Sequence, residues 1–188
     1  MSWRDRISGF RNARRLALVL AATALLAGCF QPLYGNRPTV DGESVRDKLA
    51  AVDIPPIPSR QGTPDSRLAV ELRNALQYNL NGAAGATAPT HRLTMTISSS
   101  QITVITDHSS GLPTAQIGGI NANYQLIEIA TGKVVITDST TAHVDYDIPG
   151  PEQRYVKLRS LRAAQDRAVE MVAETIRNRL ASYFTAGT

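Results

Sequence analysis

The residues of this sequence that could do chemistry are few, and the one that stands apart is a thiol. Cys29 is the only cysteine in 188 residues, so no internal disulfide is possible. A lone thiol serves as a small core hydrophobe, as a nucleophile, or as a point of covalent attachment. Catalysis by other groups finds little support. His91, His108 and His143 lie far apart, and none has the H-E-x-x-H spacing that sets two imidazoles on one helix face around a metal. Asp107-His108-Ser109-Ser110 holds the residue types of a hydrolytic triad. Neighbours on one loop do not face one another as proton relay requires, and a polar hairpin loop ending at Gly111 accounts for them. There is no G-x-S-x-G elbow. Asp145 and Asp147 could set two carboxylates on one strand face, which reads as a solvated strand end. Gly118-Gly119 lacks the helix N-terminus that a phosphate loop requires; a bulge or a close backbone approach explains it better. No catalytic residue, metal site or cofactor is therefore expected.

The position of Cys29 says more than its type. Residues 1–28 carry Arg4, Arg6, Arg11, Arg14 and Arg15 against Asp5 alone, which is the whole net charge of +4. The rest of the chain is balanced, so the pI near 9.5 belongs to the N-terminal segment and does not mark a nucleic-acid binder. Leu16–Ala27 is an uncharged apolar run, too short for the roughly 20 residues that span a bilayer but within the ~7–15 of a secretory signal core. Small Ala27 and Gly28 precede the cysteine. The order Leu26-Ala27-Gly28-Cys29 resembles the lipobox of bacterial lipoproteins, which implies cleavage between Gly28 and Cys29 and lipidation of the Cys29 thiol. Two or more acyl chains hold a protein stably to its leaflet, where one does so only marginally. Phe30 follows, with no aspartate of the kind that favours inner-membrane retention, so the expected location is the outer membrane, lipid-anchored, on the periplasmic side.

The elements that follow must position whatever the mature protein does. Hydrophobic residues are 43% and charged residues 19% of the chain, enough apolar content for one packed domain. We expect a signal peptide over 1–28, an extended Pro- and Gly-rich tether over 29–45, and a single domain over 46–188. Leu49, Val52, Ile54 and Ile57 suggest a first strand, which Pro55, Pro56 and Pro58 force to an edge or to an end at Ile54. Thr63-Pro64-Asp65 opens a helix over 64–80, with Thr63 as hydroxyl cap and Leu68, Leu72, Ala75, Leu76 and Leu80 on one face. Ala83–Pro89 is a small-residue loop.

A β-rich middle comes next. Leu93, Met95 and Ile97 alternate with polar residues; the phase then flips at Ile102 and Val104, which predicts a bulge near Ser98–Ser100. Ile120, Ala122, Tyr124 and Leu126 alternate again. Ala130-Thr131-Gly132-Lys133 makes a turn, and Val134, Ile136, Ala142, Val144 and Tyr146 continue the sheet. Ile148-Pro149-Gly150-Pro151 breaks it. A last helix over about 152–184 has Tyr155, Leu158, Leu161, Ala164, Ala168, Val172, Ile176, Leu180 and Tyr183 at helical spacing. Its arginines alternate with acids, an ordinary solvated face. The order β-α-β-β-β-α predicts an α+β fold: a two-layer α/β sandwich with two helices on one face of a mainly antiparallel four-stranded sheet.

The strands are loaded with uncharged polar residues on their non-core positions: Thr94, Thr96, Ser98, Ser100, Asn121, Asn123, Gln125, Thr137, Ser139 and Thr141. Two readings fit. The face is simply wet, threonine being a good strand former, or it is built to enter the hydrated lumen of a β-barrel.

Cys29-Phe30-Gln31-Pro32-Leu33-Tyr34-Gly35 resembles the mature N-terminus of the lipopolysaccharide-assembly lipoproteins of the LptE type, and Leu72-Arg73-Asn74-Ala75-Leu76 resembles a segment of their first helix. The element order agrees from Cys29 to Phe184. The glycine usual after the cysteine is replaced here by Phe30. The resemblance implies a non-enzymatic protein with no cofactor. It implies a protein that plugs and helps assemble the lipopolysaccharide-translocating outer-membrane β-barrel and assists insertion of lipopolysaccharide into the outer leaflet. Its partners would be that barrel, lipopolysaccharide, and the membrane through acylated Cys29, with no nucleic acid. Basic residues meet lipid A phosphates in such proteins. Arg92 and Lys133 are the basic residues of the β-rich middle and are the candidates for that contact; solvated strand-end charge is the other reading. The alternative function is a lipid-anchored periplasmic ligand-binding or auxiliary component of an ABC-type transport system.

Overall fold

The computed structural model describes residues 44–82, 88–106, 108, 113–147 and 154–186. The signal peptide, Cys29, residues 29–43 of the tether, residues 83–87 of the small-residue loop, Asp107 and residues 109–112 of the polar hairpin loop, and the Ile148–Pro151 break lie outside them.

The first described element is one that periodicity is too short to announce. Helix α1, Val45–Ala50, is fixed at its start by a capping box. The Ser44 hydroxyl oxygen accepts the Asp47 backbone N–H at 3.1 Å, and Asp47 Oδ2 accepts the Ser44 N–H at 3.4 Å. Strand β1 follows at Val52–Asp53. It is an edge strand and ends before the prolines, as their missing N–H groups require. Helix α2, Pro64–Asn81, crosses over the sheet and returns the chain to β2. A crossover of this kind places β1 parallel to its neighbour, and Val52 pairs with His91 in that sense. Thr63 precedes α2 in an extended conformation, but its hydroxyl does not cap the helix. It donates instead to the Arg60 carbonyl at 2.7 Å. Pro64 at the first helical position and Gly82, left-handed at φ 62°, supply the start and stop.

Strands β2 (His91–Thr106), β3 (Pro113–Glu128) and β4 (Val134–Asp147) form an antiparallel meander, giving a sheet of order β1-β2-β3-β4. The β3–β4 turn is closed by Gly132 at φ 70°, whose N–H donates to the Glu128 carbonyl at 2.8 Å. Helix α3, Arg154–Ala186, is the last described element. At ~1.5 Å per residue it is about 50 Å long, longer than the core it packs on.

The core lies between the inner sheet face and the two long helices. Leu93, Ile120, Ala122 and Leu126 meet Leu68, Leu72 and Leu76 of α2 and Val172, Ile176 and Leu180 of α3, all essentially inaccessible to water. Ala164, Ala168, Ala173 and Ala181 of α3 are buried as well. Their small side chains let the helix lie close to its neighbours, as dense interior packing demands. Arg67 joins the two long helices: its guanidinium donates to Asp166 Oδ1 at 2.8 Å and to Gln165 Oε1 at 2.6 Å.

Two further expectations are corrected. The pairing of β2 with β3 runs without interruption from His91 to Thr103, with shifts only between Thr103 and Ile105 and between Ile105 and Thr106. No bulge at Ser98–Ser100 absorbs the change of hydrophobic phase. Ile102 and Val104 simply stand on the outer face, each 55% exposed. Beyond Ser99 the strand leaves the helices, Gln101 and Thr103 are exposed on the inner side, and alternation no longer reports burial. The first turns of α3 behave alike. Tyr155 (72% exposed) and Leu158 (56%) continue the apolar stripe of α3 in sequence but stand in solvent. Phe184 is the buried aromatic at the far end, while its neighbour Tyr183 is partly exposed.

Candidate functional site

A strand turns alternate side chains to opposite faces, so burial of Leu93, Met95, Tyr124, Leu126 and Ile136 on the inner face decides what the outer face carries. It carries all ten of the uncharged polar residues that the sequence singles out. The pairing aligns them in cross-strand rows: Thr94–Gln125–Thr137, Thr96–Asn123–Ser139 and Ser98–Asn121–Thr141. Asn121 Nδ2 donates to Thr141 Oγ1 at 2.8 Å, and Asn123 Nδ2 donates to Asn121 Oδ1 at 3.2 Å. The first bond links β3 to β4 and the second runs along β3, and these side chains keep further donors and acceptors for whatever lies above them.

The next row is Ser100–Gly119–His143. A Cβ on Gly119 would lie 2.5 Å from Ser100 Oγ and 3.1 Å from His143 Nδ1. The glycine is therefore a close approach of side chains to backbone, with the ladder unbroken at that point. Gly118 faces inward, where the Tyr146 ring lies 3.7 Å from the position its Cβ would take. The Tyr146 hydroxyl donates to Gln116 Oε1 at 2.6 Å, and burial raises the phenol above its ordinary range.

Formal charge is confined to the two ends of the outer face. At one end Arg92 pairs across the ladder with Ile127, and Ile127 with Val134, beside Lys133. Two strand spacings, about 10 Å, separate the backbones of Arg92 and Lys133, so the structure brings these two candidates to one end. Arg92 Nε donates to Asp53 Oδ2 at 3.0 Å while its side chain stays 53% exposed; Lys133 is exposed in the turn. At the other end Asp145 and Asp147 share a face, as expected, with His143 two residues before them, all three exposed. The histidines do not converge. His91 and His143 are separated by nine rows of the ladder, about 30 Å, and His108 lies beyond the end of β2. Among the described residues no group of three or more His, Cys, Asp and Glu could hold a metal ion.

One part of the outer face is recessed. Rows Thr94–Gln125–Thr137 and Thr96–Asn123–Ser139, with the row between them, floor an open groove of about 810 Å³. Pro55, Pro56 and Pro58 line its side. The middle row, Met95–Tyr124–Asp138, sends its side chains the other way: Met95 and Tyr124 are buried, and Asp138 accepts from Arg179 of α3 at 3.3 Å. Burial, with the nearby Asp138 carboxylate, pushes the Tyr124 phenol up to about 12, so it stays protonated beneath the groove. Sequence reading found the polar floor by alternation but not the proline side, because nothing local says that residues 55–58 return alongside β2. Cys29 and Gly28 lie outside the described residues.

Comparison with known proteins follows this geometry. The profile of the lipopolysaccharide-assembly family LptE matches residues 49–180, from α1 through almost all of α3. The chain belongs to the LptE family. A lipoprotein of Caulobacter crescentus CB15 has the same fold at a TM-score of 0.59 and 18% identity, covering 76% of this chain and 96% of that one. Rare lipoprotein B of Shewanella oneidensis is similar at a TM-score of 0.51 and 15% identity, covering 71% and 95%. Uncharacterized lipoprotein B of Nitrosomonas europaea is similar at 0.50 and 9% identity, covering 72% and 84%. None of the curated proteins matches the chain. The LptE assignment places it in a lipopolysaccharide-assembly family. No described helix is long and apolar enough to cross a membrane.

Proposed function

We propose that this LptE-family chain is anchored by acylated Cys29 to the periplasmic side of the outer membrane. There it plugs the lipopolysaccharide-translocating β-barrel, helps that barrel assemble, and assists insertion of lipopolysaccharide into the outer leaflet. The observation that carries this reading is the outer sheet face. Ten hydroxyl and amide side chains share it, with formal charge only at its ends. Such a face fits a hydrated, polar barrel lumen. It can exchange water hydrogen bonds for bonds to the wall without desolvating an ion, a step that costs several kcal/mol per unpaired charge. The role is one of binding and assembly, with no catalytic step and no cofactor. Arg92 and Lys133, at one end of the face, are the proposed contacts to lipid A phosphates.

The test is to purify the full-length chain from its own membranes and identify what accompanies it. A stoichiometric outer-membrane barrel is the expected partner. A photoreactive residue at Asn121, on the outer face, should cross-link to that barrel far more than one at Met171 on the exposed side of α3. Recovery of an inner-membrane permease instead would overturn the proposal in favour of a transport auxiliary, and equal cross-linking from both positions would remove the outer face as the docking surface.

A further inference from the structure

The groove beside Pro55, Pro56 and Pro58 has a chemistry narrower than that of the face around it. Its volume of about 810 Å³ falls in the range of small-molecule sites, roughly 300–1,000 Å³. Thr94, Thr96, Asn123, Gln125, Thr137 and Ser139 are the side chains of its floor. Each can both donate and accept, and none is charged. An acyl chain could lie along the proline wall but would leave the hydroxyls and amides of the floor without partners where it displaced their water. A phosphate would find no cation there, since the one charged residue of the floor, Asp138, is turned toward Arg179. A ligand rich in hydroxyl groups can donate to and accept from every one of these uncharged side chains. The prolines add a rigid wall of C–H groups, suited to the apolar face of a sugar ring, with φ fixed in advance so that little order is lost on binding.

Position sharpens the assignment. Arg92 lies two residues before Thr94 on the same face of β2, about 7 Å along the strand. A phosphorylated glycolipid held by its phosphate at Arg92 would present its neighbouring sugars to the groove. We infer that this groove binds the uncharged saccharide portion of lipopolysaccharide, separately from the phosphate contacts at Arg92 and Lys133. The inference rests on the lipopolysaccharide reading above for the source of the sugar and on the groove for its chemistry.

The experiment uses the full chain in detergent micelles and three probes: oligosaccharide released from lipopolysaccharide and dephosphorylated, phosphorylated lipid A, and maltotriose. The oligosaccharide should bind, with an affinity that added salt changes far less than it changes that of lipid A, because no phosphate is involved. The pair Asn123→Val and Thr137→Val should weaken it about tenfold, the loss expected when a site built of hydrogen bonds is emptied. Both positions are exposed on a strand and valine favours strands, so the fold is retained; Thr137→Val alone, of the same shape, gives a smaller loss in the same direction. Arg92→Glu should weaken lipid A binding and leave the oligosaccharide within about twofold. Absence of oligosaccharide binding, equal binding by the valine variants, or equal binding of maltotriose overturns the assignment. Co-purification of the barrel is read independently, so the barrel-plug reading can stand when the groove assignment falls, and fall when it stands.

Discussion

Asp65 Oδ1 accepts two hydrogen bonds from Ser99, the backbone N–H at 3.1 Å and the hydroxyl at 2.5 Å. The carboxylate belongs to the first turn of α2 and the serine to the open edge of β2. Among the described residues β1 pairs only with His91 and Arg92, so most of β2 has no strand on that side. From Leu93 to Thr106 the strand carries no charge and no proline, the composition most prone to pair with another chain. Asp65 occupies one of its donors and closes the edge at mid-length. Asp65→Ala should cost about 1.5–3 kcal/mol, the worth of hydrogen bonds to a charged group. It should also make the protein self-associate. Urea denaturation and light scattering check the two effects. Asp65→Asn keeps an acceptor and should recover part of each; a stable, monomeric alanine variant would show that the contact guards nothing.

Gly119 gives a second test because its neighbours are side chains rather than backbone. Alanine there would place a methyl 2.5 Å from Ser100 Oγ, and overpacking of this kind costs about 1–3 kcal/mol. Ser100→Ala added to Gly119→Ala removes the closest atom and should restore a measurable part of the stability. A non-additive thermodynamic cycle is the expected signature. Additive losses would mean that the glycine serves backbone conformation instead.

Much of this architecture can be read from the sequence, and the exceptions share a cause. Helix α2 announces itself through Pro64, five apolar positions on one face and Gly82. The polar face of β2–β4 follows from alternation alone. Helix α1 escapes because six residues span less than two turns, although Ser44 and Asp47, at capping-box spacing, are its local sign. Ile102, Val104, Tyr155 and Leu158 mislead because periodicity assumes that every apolar stripe is covered within the chain. Here β2 and α3 both run past the core. The groove is invisible for another reason: its floor comes from three strands and its wall from a proline segment about 40 residues from the first of them, a juxtaposition only tertiary structure creates.

His91 should make the fold sensitive to pH. Its ring meets Phe184 edge-on, with centroids 5.1 Å apart. Burial lowers its pKa, Glu128 opposes that shift and Lys48 adds to it. A folded pKa below the unfolded value of about 6.5 means that the unfolded chain binds the proton more readily. Stability should therefore be level above about pH 7, fall as pH drops through ~6.5, and level off once the folded ring also protonates. His91→Phe keeps an aromatic partner for Phe184 and removes the titration. Urea midpoints at about pH 7.5 and pH 5 should differ less in the variant. An equal drop in both proteins would assign the sensitivity elsewhere.

Arg92 and Lys133 are the proposed phosphate contacts. Arg92→Glu with Lys133→Glu should weaken lipid A binding by at least about tenfold, since a charge-assisted hydrogen bond is worth about 1.5–3 kcal/mol and 1.4 kcal/mol is a factor of ten. The Arg92–Asp53 pair lost in the variant is exposed, and such pairs contribute about 0–1 kcal/mol, so thermal stability should hardly move. Binding by the native protein should also weaken with salt. Unaltered affinity in the double variant would remove both residues from the contact.

Cys29 carries the proposed anchor, and serine distinguishes chemistry from packing there. The hydroxyl of Cys29→Ser is nearly the same size as the thiol but is not the soft sulfur nucleophile that forms a thioether. If Cys29 is lipidated, the variant should take up no labelled palmitate and keep residues 1–28, because processing before that position follows lipidation. If Cys29 were a buried core residue, the variant would be processed normally and lose only stability. Mass and membrane fractionation separate the two outcomes. A Cys29→Ser protein that is cut before position 29 would disprove the anchor. Membrane fractionation is read on the chain expressed without the barrel, which would otherwise hold it in the membrane fraction; no described helix could do so.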